Sequence, residues 1–298
     1  MYKIITDGSC DLSLDLVKEL GIEVVPFYVS KDGVNYQKEI VELGIRNFYQ
    51  FMVDHPKQFP KTSMPSIQDY LEVFTPLVKQ GIDIICICIS TKFSGSFNSA
   101  SNAKNMLLEE YPNAKIEVID ATINTVLQGM LVEEAVAKQN SGASFEENVA
   151  FINEIKTSGR IFFTIGSMDY LVHGGRVGKL SGIAAGALGI KPLILLKEGE
   201  IFNNGITRGR KKAKQKIIEQ IITYLKENEI DIDEYRFAVG FGYDEAEGEE
   251  FRQELISKLK ENYPKLDQNI PMRQIGATIG VHTGPYPLGA GIIKKYQK

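Results

Sequence analysis

The chain has 298 residues, a length that suits two domains better than one. Hydrophobic residues make up 43% and charged residues 24% of it, as in ordinary soluble proteins, and no apolar run approaches the roughly 20 residues of a membrane span. The net charge of −4 argues against a general nucleic-acid binder. Because the chain has three cysteines, an odd number, and opens without a signal-peptide pattern, we expect a cytoplasmic protein.

The first half alternates short apolar runs with amphipathic stretches, the pattern of an α/β domain. "YKIIT" predicts a strand, and Ser13 and Gly21 predict the start and end of the helix after it. "IEVVPFYV" predicts a strand that Pro26 bends or places at an edge. Further helices are predicted over residues 42–56, 66–80, 124–139 and 144–157.

The run "IDIICICIS" predicts a strand that is covered on both faces, because it is apolar throughout. Cys86 and Cys88 are two residues apart on it and should point to the same face as small core residues. "KIEVID" predicts a neighbouring strand.

A second block begins near residue 158, where helices give way to the strand "SGRIFFTIG". A strand pair in "KPLILLKEGEIFNN", helices over 208–227 and 245–261, and strands in "YRFAVGFG", "PMRQIG" and "LGAGIIKKY" complete it. Gly178, Gly182 and Gly186 recur every four residues on a candidate helix, a spacing that favours close packing against another element or an apolar ligand. We therefore predict two α/β domains, residues 1–158 and 159–298.

Three predicted strands of the first half end in short polar turns, at residues 6–9, 90–96 and 120–124. The carboxyl ends of parallel strands meet at one edge of a sheet, where ligands commonly bind. A helix that begins near Ser96 would direct free N–H groups to the same crevice, and Gly95 would let a ligand approach closely. The alternative is that these serines only cap helices and fill turns. Their convergence favours an anion site.

Two other segments carry candidate ligand donors. Thr62 and Ser63, in "KTSMPS", lie in a predicted turn before Pro65. His282 and Thr283, in "GVHTGPYPLGAG", lie in a predicted loop. There the imidazole can donate to an anion, act as a general base or serve the structure alone.

The segment "TRGRKKAKQK" places six basic residues between Arg208 and Lys216, at the start of a predicted helix. Positive charge there opposes the helix dipole and costs about 0.3–1 kcal/mol per residue. This placement favours an acidic partner or a phosphate-bearing surface, although a solvated face is the usual explanation. No metal-ligand spacing, nucleophile elbow or dinucleotide fingerprint occurs, and Lys179 is followed by Leu180 where a phosphate-binding loop needs Ser or Thr.

Eight segments, in order along nearly the whole chain, resemble the DegV family of bacterial fatty-acid-binding proteins. They are "TDGSCDL", "TSMPS", "STKFSGSFNSA", "VIDATINTVLQG", "YLVHGGRV", "GIKPLILL", "TRGRKKA" and "HTGP". The resemblance implies an N-terminal three-layer α/β/α domain with a parallel sheet, a C-terminal α/β domain with a mixed sheet, and one long-chain fatty acid between them.

The resemblance also implies a carrier that is not itself an enzyme and that needs no cofactor or metal. A separate ATP-dependent fatty-acid kinase would phosphorylate the bound acid, and a downstream acyltransferase would use the acyl phosphate for phospholipid synthesis. The carrier would bind no nucleic acid and would not insert stably into a membrane.

The family's carboxylate-binding positions fall on Thr62, Ser94 and His282. The supporting pocket and loop positions are Ser63, Gly95, Ser96, Asn124 and Thr283. The basic positions that look like kinase-docking or phosphate-facing residues are Arg176, Arg208 and Arg210. The sequence departs from the family pattern at Gly8, Met64, His173 and Tyr286-Pro287, and the last of these would reshape the pocket mouth.

A fatty-acid site is physically consistent with these residues. A buried carboxylate is costly without hydroxyl, amide or imidazolium donors, and each buried CH₂ group contributes about 0.8 kcal/mol. Two alternatives stay open. One is an enzyme that acts on a small phosphorylated metabolite, with Ser94 on the phosphate and His282 as acid or base. The other is a regulatory partner protein whose crevice is vestigial.

Overall fold

The structure is a computed structural model that describes residues 1–180, 189–264, 266 and 269–297. Gly182 and Gly186, two members of the predicted glycine repeat, lie outside the described residues. The third member, Gly178, lies in a turn with a positive φ of 55°, so the helix predicted from this position is wrong there. Within the described part of the chain, no helix is both long and apolar enough to cross a membrane.

Strands and helices alternate along the chain, largely where the apolar pattern predicts them. The strands are β1 (Tyr2–Asp7), β2 (Glu23–Val25), β3 (Tyr28–Ser30), β4 (Gln37–Lys38), β5 (Lys61–Ser63), β6 (Asp83–Cys88), β7 (Ile116–Asp120), β8 (Arg160–Thr164), β9 (Ile190–Lys197), β10 (Glu200–Arg208), β11 (Tyr235–Phe241), β12 (Met272–Gln274) and β13 (Leu288–Lys294). The helices are α1 (Leu14–Leu20), α2 (Ile45–Asp54), α3 (Ile67–Lys79), α4 (Ser96–Glu110), α5 (Thr125–Asn140), α6 (Phe145–Ile155), α7 (Asp169–His173), α8 (Arg210–Glu227), α9 (Glu245–Asn262) and α10 (Ala277–Thr283). Ser13 caps α1 and Gly21 ends it, as predicted.

The first half contains a parallel sheet in the order β2-β1-β6-β7. Its strands alternate their side chains between two helical layers. Ile84, Cys86 and Cys88 face the layer of α3 and α4, while Ile85 and Ile87 face α5. The predicted three-layer arrangement is therefore confirmed, and both cysteines lie buried on one face.

The segment "IEVVPFYV" forms two strands rather than one. β2 ends before Pro26, which cannot donate a ladder hydrogen bond, and β3 begins two residues later. β3 then pairs antiparallel with β4 and β5 in a small separate sheet. The turn predicted at "KTSMPS" is thus partly wrong, because its first residues form β5 and bring Thr62 opposite Val29.

The second half contains a mixed sheet in the order β10-β9-β8-β13-β11-β12. All neighbours in it are antiparallel except β11 and β12. Helices α8 and α9 cover its outer face with residues such as Ile217, Ile221 and Phe251. Its inner face along β11 and β13 carries small residues, among them Ala238 and Gly291.

Helix α5 lies between the two sheets and is buried on nearly all sides. Its residues Val126, Leu127 and Met130 lie within contact distance of where a side chain on Gly291 would be. A helix that is covered all round needs apolar residues all round, which is what "TVLQGMLVEEAV" largely provides. The strand β8 begins shortly after residue 158, and the domain boundary predicted there stays a prediction.

Helix α10 corrects the loop predicted around His282. The histidine lies in the last turn of this helix, which packs on Phe48 and Tyr49 of α2 in the first half. A side chain at Gly280 would lie 2.8 Å from the Tyr49 hydroxyl and 3.1 Å from Phe48. The glycines that suggest a loop therefore permit close packing of a helix.

The buried carboxylate of Asp7 joins the turns that follow the parallel strands. It accepts hydrogen bonds from Ile89 N–H after β6 at 2.9 Å, from the Ser96 hydroxyl at the start of α4 at 2.7 Å, and from the Gln128 amide of α5 at 2.9 Å. The Ser9 hydroxyl, in the turn after β1, donates to it at 2.6 Å. The predicted convergence of these turns is confirmed for the turns after β1 and β6.

We expect Asp7→Asn to lower the free energy of unfolding by about 3 kcal/mol, because an amide NH₂ would face N–H and O–H donors in place of an anionic acceptor. Chemical denaturation measures the change. Asp120→Asn is the matched control, since Asp120 also follows a parallel strand and accepts from Thr91 and Thr122 but is only partly buried. A loss for Asp7→Asn no larger than that of the control would contradict the central role of Asp7.

Candidate functional site

A cavity lies between the two halves, beside α5 and α10. It contains about 1060 Å³ of empty space, a volume that includes the solvent at its open mouth. Buried apolar side chains from both halves line it: Phe27, Ile89, Val126, Ile161, Leu171, Leu196, Ile201 and Leu288.

Two glycines of the mixed sheet also line this cavity, Gly240 of β11 and Gly289 of β13. A side chain at Gly240 would approach Val126 to 3.2 Å and Ile275 to 3.3 Å, so its absence keeps space open beside α5. The sequence reasoning missed these residues. Glycine inside a strand, as in "LGAGIIK", is the signal that marks such a close approach.

Polar groups cluster where the cavity opens. Thr62, Ser94, Arg176 and His282 line this part, and each of them keeps some exposure to solvent. The three residues predicted to bind the carboxylate are thus brought into one cavity from β5, from the turn before α4 and from α10.

His282 is held by contacts on both sides of its ring. Its Nε2 lies 3.0 Å from Thr62 Oγ1 in a hydrogen bond. Its Nδ1 is buried without a hydrogen-bond partner among the described residues and lies against Gly174, where an added Cβ would come within 2.2 Å. Gly174, in the predicted "GGRV" motif, therefore provides the space for the imidazole.

The electrostatics make His282 a neutral side chain. Burial, and to a smaller extent the nearby Arg176 guanidinium, lower the pKa of His282 to about 4. With this pKa the ring is neutral at neutral pH, and it then carries one N–H where an imidazolium would carry two.

Ser94 has a hydroxyl proton available for a ligand. Its Oγ accepts a hydrogen bond from the backbone N–H of Ser96 at 3.2 Å, at the start of α4. Because the oxygen is used as an acceptor in that contact, the hydroxyl hydrogen remains free to donate toward the cavity.

Arg176 supplies a positive charge at the mouth. Its Nε donates to the carbonyl of Phe93 at 3.2 Å and its Nη1 to the carbonyl of Gly174 at 2.6 Å. These two bonds hold the guanidinium between the turn before α4 and the turn after α7. The sequence suggested docking or a phosphate-facing role for this residue, whereas the geometry also puts it beside the carboxylate positions.

The predicted supporting residues divide into two groups. Asn124, Gly95 and Thr283 line the cavity. Ser63 does not, because it alternates with Thr62 along β5 and is exposed. Ser96 also lies behind the cavity wall, where it is buried and bonded to Asp7 and Tyr70.

The residues at which the sequence departs from the family pattern lie in different parts of the site region. Met64 lines the mouth and its Sδ would lie 2.7 Å from a Cβ at Gly95, so it covers the turn that carries Ser94. Pro287 lines the cavity, while Tyr286 is turned onto Gly166 and Tyr243. His173 stacks on Phe59 with ring centroids 3.6 Å apart.

Residues of the basic segment 208–216 form ion pairs with acidic residues of the same chain. Arg210 forms a two-bond ion pair with Glu247 of α9, with N–O distances of 2.9 and 2.8 Å, and Lys214 pairs with Glu250. Arg210 is therefore largely occupied in holding α8 to α9. Arg208 is exposed and has no ion-pair partner among the described residues.

Comparison with known proteins gives the same assignment along the whole chain. A family model described as "Uncharacterised protein, DegV family" matches residues 1–295. A DegV domain-containing protein of Caldanaerobacter subterraneus subsp. tengcongensis is 34% identical over 287 residues, 96% of each chain.

Two solved structures are similar over nearly their full length. A stearic-acid-binding protein from Eubacterium ventriosum has 46% identity and a TM-score of 0.92, with 99% of each chain covered. A fatty-acid-binding DegV family protein from Thermus thermophilus has 27% identity and a TM-score of 0.83, with 98% of this chain and 99% of that chain covered. Because the family model covers residues 1–295 and a DegV relative is 34% identical over nearly the whole chain, this protein is a member of the DegV family.

Proposed function

We propose that this protein binds a long-chain fatty acid, with the hydrocarbon tail inside the cavity and the carboxylate at its mouth. The observation that carries the proposal is the division of one cavity into a buried apolar interior and a polar end, formed by Thr62, Ser94, Arg176 and His282, that keeps partial exposure to solvent. The ligands named for the two structural relatives support the same ligand class.

The head-group contacts follow from the hydrogen bonds already formed. Ser94 donates its free hydroxyl hydrogen to one carboxylate oxygen. In the tautomer that carries the proton on Nε2, His282 donates to Thr62, whose own hydroxyl hydrogen then points to the second oxygen. Arg176 neutralises the anion from the solvent side, so the carboxylate is paired without being fully buried.

The tail supplies most of the binding free energy. Each CH₂ group moved from water into the apolar interior contributes about 0.8 kcal/mol. The polar end then selects molecules with one terminal acidic group.

An enzyme for a small phosphorylated metabolite, the alternative from the sequence, fits this lining poorly. The buried apolar residues offer such a ligand no polar partner, and with a pKa of about 4 the His282 ring could serve at neutral pH only as a base. No group of three or more His, Cys, Asp or Glu side chains could hold a metal ion in the part of the chain described.

The second part of the proposal is that the bound acid is presented to a separate ATP-dependent fatty-acid kinase in the cytoplasm. A carboxylate oxygen attacks the γ-phosphorus of ATP, the bond from that phosphorus to the bridging oxygen breaks, and ADP leaves. The kinase supplies ATP and Mg²⁺, and Arg176 faces the negative charge of the acyl phosphate. An acyltransferase of phospholipid synthesis then consumes this product.

Ser94→Ala should weaken fatty-acid binding by about 1–3 kcal/mol, because a carboxylate oxygen loses its donor. Titration with the fluorescent fatty acid cis-parinaric acid, displaced by palmitate, gives the dissociation constants. Ser99→Ala, one turn further along α4 and outside the cavity lining, is the control and should bind as the unaltered protein does.

The binding proposal itself fails if the unaltered protein neither carries a fatty acid, as detected by native mass spectrometry, nor takes up added palmitate or oleate.

Gly174→Ala should lower the affinity for cis-parinaric acid about tenfold, because the new methyl group displaces the imidazole of His282 and breaks its bond to Thr62. The backbone at Gly174, with φ −76° and ψ −8°, accepts alanine, so the effect comes from packing. Gly44→Ala, where an added Cβ would meet nothing closer than 3.7 Å, is the matched control. Equal affinities for both variants would remove His282 from the binding mechanism.

Arg208→Ala should slow phosphorylation of the bound acid by a fatty-acid kinase about tenfold or more, while the dissociation constant for palmitate changes less than twofold. Arg208 is exposed and free of ion pairs among the described residues, whereas Arg210 pairs with Glu247 and its removal would disturb the fold. Transfer of radioactive phosphate from ATP measures the rate, and Lys212→Ala is the control. The docking role would be contradicted if Arg208→Ala weakened lipid binding while the rate of phosphorylation per bound lipid stayed normal.

A further inference from the structure

Two carboxyl groups from the first half hold the first turn of α10. Asp11 Oδ1 accepts the backbone N–H of Gly276 at 2.9 Å. Glu39 Oε1 accepts the backbone N–H of Thr278 at 2.9 Å, and Glu39 Oε2 accepts the hydroxyl of the same threonine. Asp11 follows the turn after β1 and Glu39 follows β4, so two separate segments meet at this helix.

The two carboxyl groups are close to each other and buried. Asp11 is 8% exposed and Glu39 0%. Asp11 Oδ1 and Glu39 Oε1 each lie 2.7 Å from the position that a Cβ on Gly276 would occupy, so they are no more than twice that distance apart. Like charges at such a separation repel strongly when they are shielded from water.

The groups that contact this pair also line the cavity. Thr278, which donates to Glu39, lines the cavity. Phe27 also lines it, and the Phe27 carbonyl accepts the Glu39 N–H at 2.8 Å. Thr125 lines it and donates its hydroxyl to Asp11. Thr125 adopts left-handed backbone, with a φ of 51°, a conformation that a β-branched residue keeps only where its surroundings hold it.

Helix α10 connects the pair to the carboxylate site. It places Ile279, His282 and Thr283 in the cavity wall, in addition to Thr278. A helix this short moves as one body when its first turn moves. A change at Gly276 and Thr278 therefore reaches His282 and its bond to Thr62.

We propose that Asp11 and Glu39 are positioning residues of the ligand site, which fix α10 when at least one of them is protonated and release it when both are ionised. The proposal rests on the proposed function in taking a fatty acid as the ligand. It predicts that affinity falls as the solution becomes alkaline.

The surrounding charges agree with this direction. Burial raises the pKa of Asp11 to about 8 and that of Glu39 to about 7. The groups that face the pair are Asp7, Cys10, Tyr49 and Arg273; Arg273 lowers the pKa of Asp11 less than burial raises it. Burial also raises the pKa of Cys10 and Tyr49, so both stay uncharged near neutrality.

The sign follows from proton binding. Since both carboxyl groups bind protons more tightly in the folded protein than in the unfolded chain, the stability they contribute is present at low pH and is lost as the pH rises from about 4 to about 8.

The first test is the dissociation constant for cis-parinaric acid between pH 6 and 9 in the full-length protein. We expect the dissociation constant of the unaltered protein to rise at least about threefold toward pH 9. The double variant Asp11→Asn with Glu39→Gln keeps the shape of both side chains without their charge. Its dissociation constant should change with pH only as far as the ionisation of cis-parinaric acid itself requires. Glu134→Gln is the matched control. Glu134 is equally buried and joins the halves, but it accepts from Arg236 and Tyr296 instead of α10.

The second test needs no ligand. The chain has three histidines, so the ring signals of His282 can be assigned by NMR with His55 and His173 as references. His282 itself protonates near pH 4, and any shift of its ring signals between pH 6.5 and 8.5 therefore reports a change in its surroundings. We expect such a shift in the unaltered protein and in Glu134→Gln, and its absence in the double variant.

Ring signals that stay constant with pH in the unaltered protein, or that shift equally in the double variant, overturn the positioning role. A protein that shows the expected NMR shift but binds no fatty acid keeps the positioning role and refutes the proposed ligand. Identical pH profiles of affinity in the unaltered protein and the double variant refute the link between the pair and binding.

Discussion

The carboxylate of Asp7 is the interaction on which the ligand site depends most. It is fully buried, and it is tolerated there because donors from several segments surround it. These donors come from the turn after β1, the end of β6, the start of α4 and the side of α5. The start of α4 also fixes Ser94, so Asp7 helps to place the hydroxyl that we propose as a ligand donor, although Asp7 itself does not line the cavity.

The cavity exists because helix α5 and the mixed sheet pack together without filling the space between them. Helix α5 is largely apolar and buried on nearly all sides, and it therefore lies between the sheets, while β11 and β13 present small residues toward it. At Gly240, a larger residue would occupy the space beside Val126 and Ile275. The cavity is thus a consequence of how the halves pack, and its polar end is formed by residues of β5, of α10 and of the turns before α4 and after α7.

Features set by neighbouring residues could be predicted from the sequence, and features set by distant contacts could not. The cap at Ser13, the bend at Pro26 and the covered strand at residues 82–90 depend on local chemistry. The helix around His282 was predicted as a loop because its glycines serve contacts with α2, far away in sequence. Likewise, the unfavourable charge at the start of α8 is explained by Glu247, 37 residues beyond Arg210. The family resemblance pointed to Thr62, Ser94 and His282, which line one cavity, but the neutral state of the imidazole follows from burial, which only the fold reveals.

The burial of α5 also determines whether the first half of the chain could be produced without the second. Val126, Leu127 and Met130 contact the mixed sheet and belong, in sequence, to the first half. A fragment that ended at residue 158 would expose this apolar surface to water and would tend to aggregate or bind chaperones. Ribosomal synthesis reaches α5 well before β11 and β13, so the nascent chain must protect that surface until the last strands have emerged.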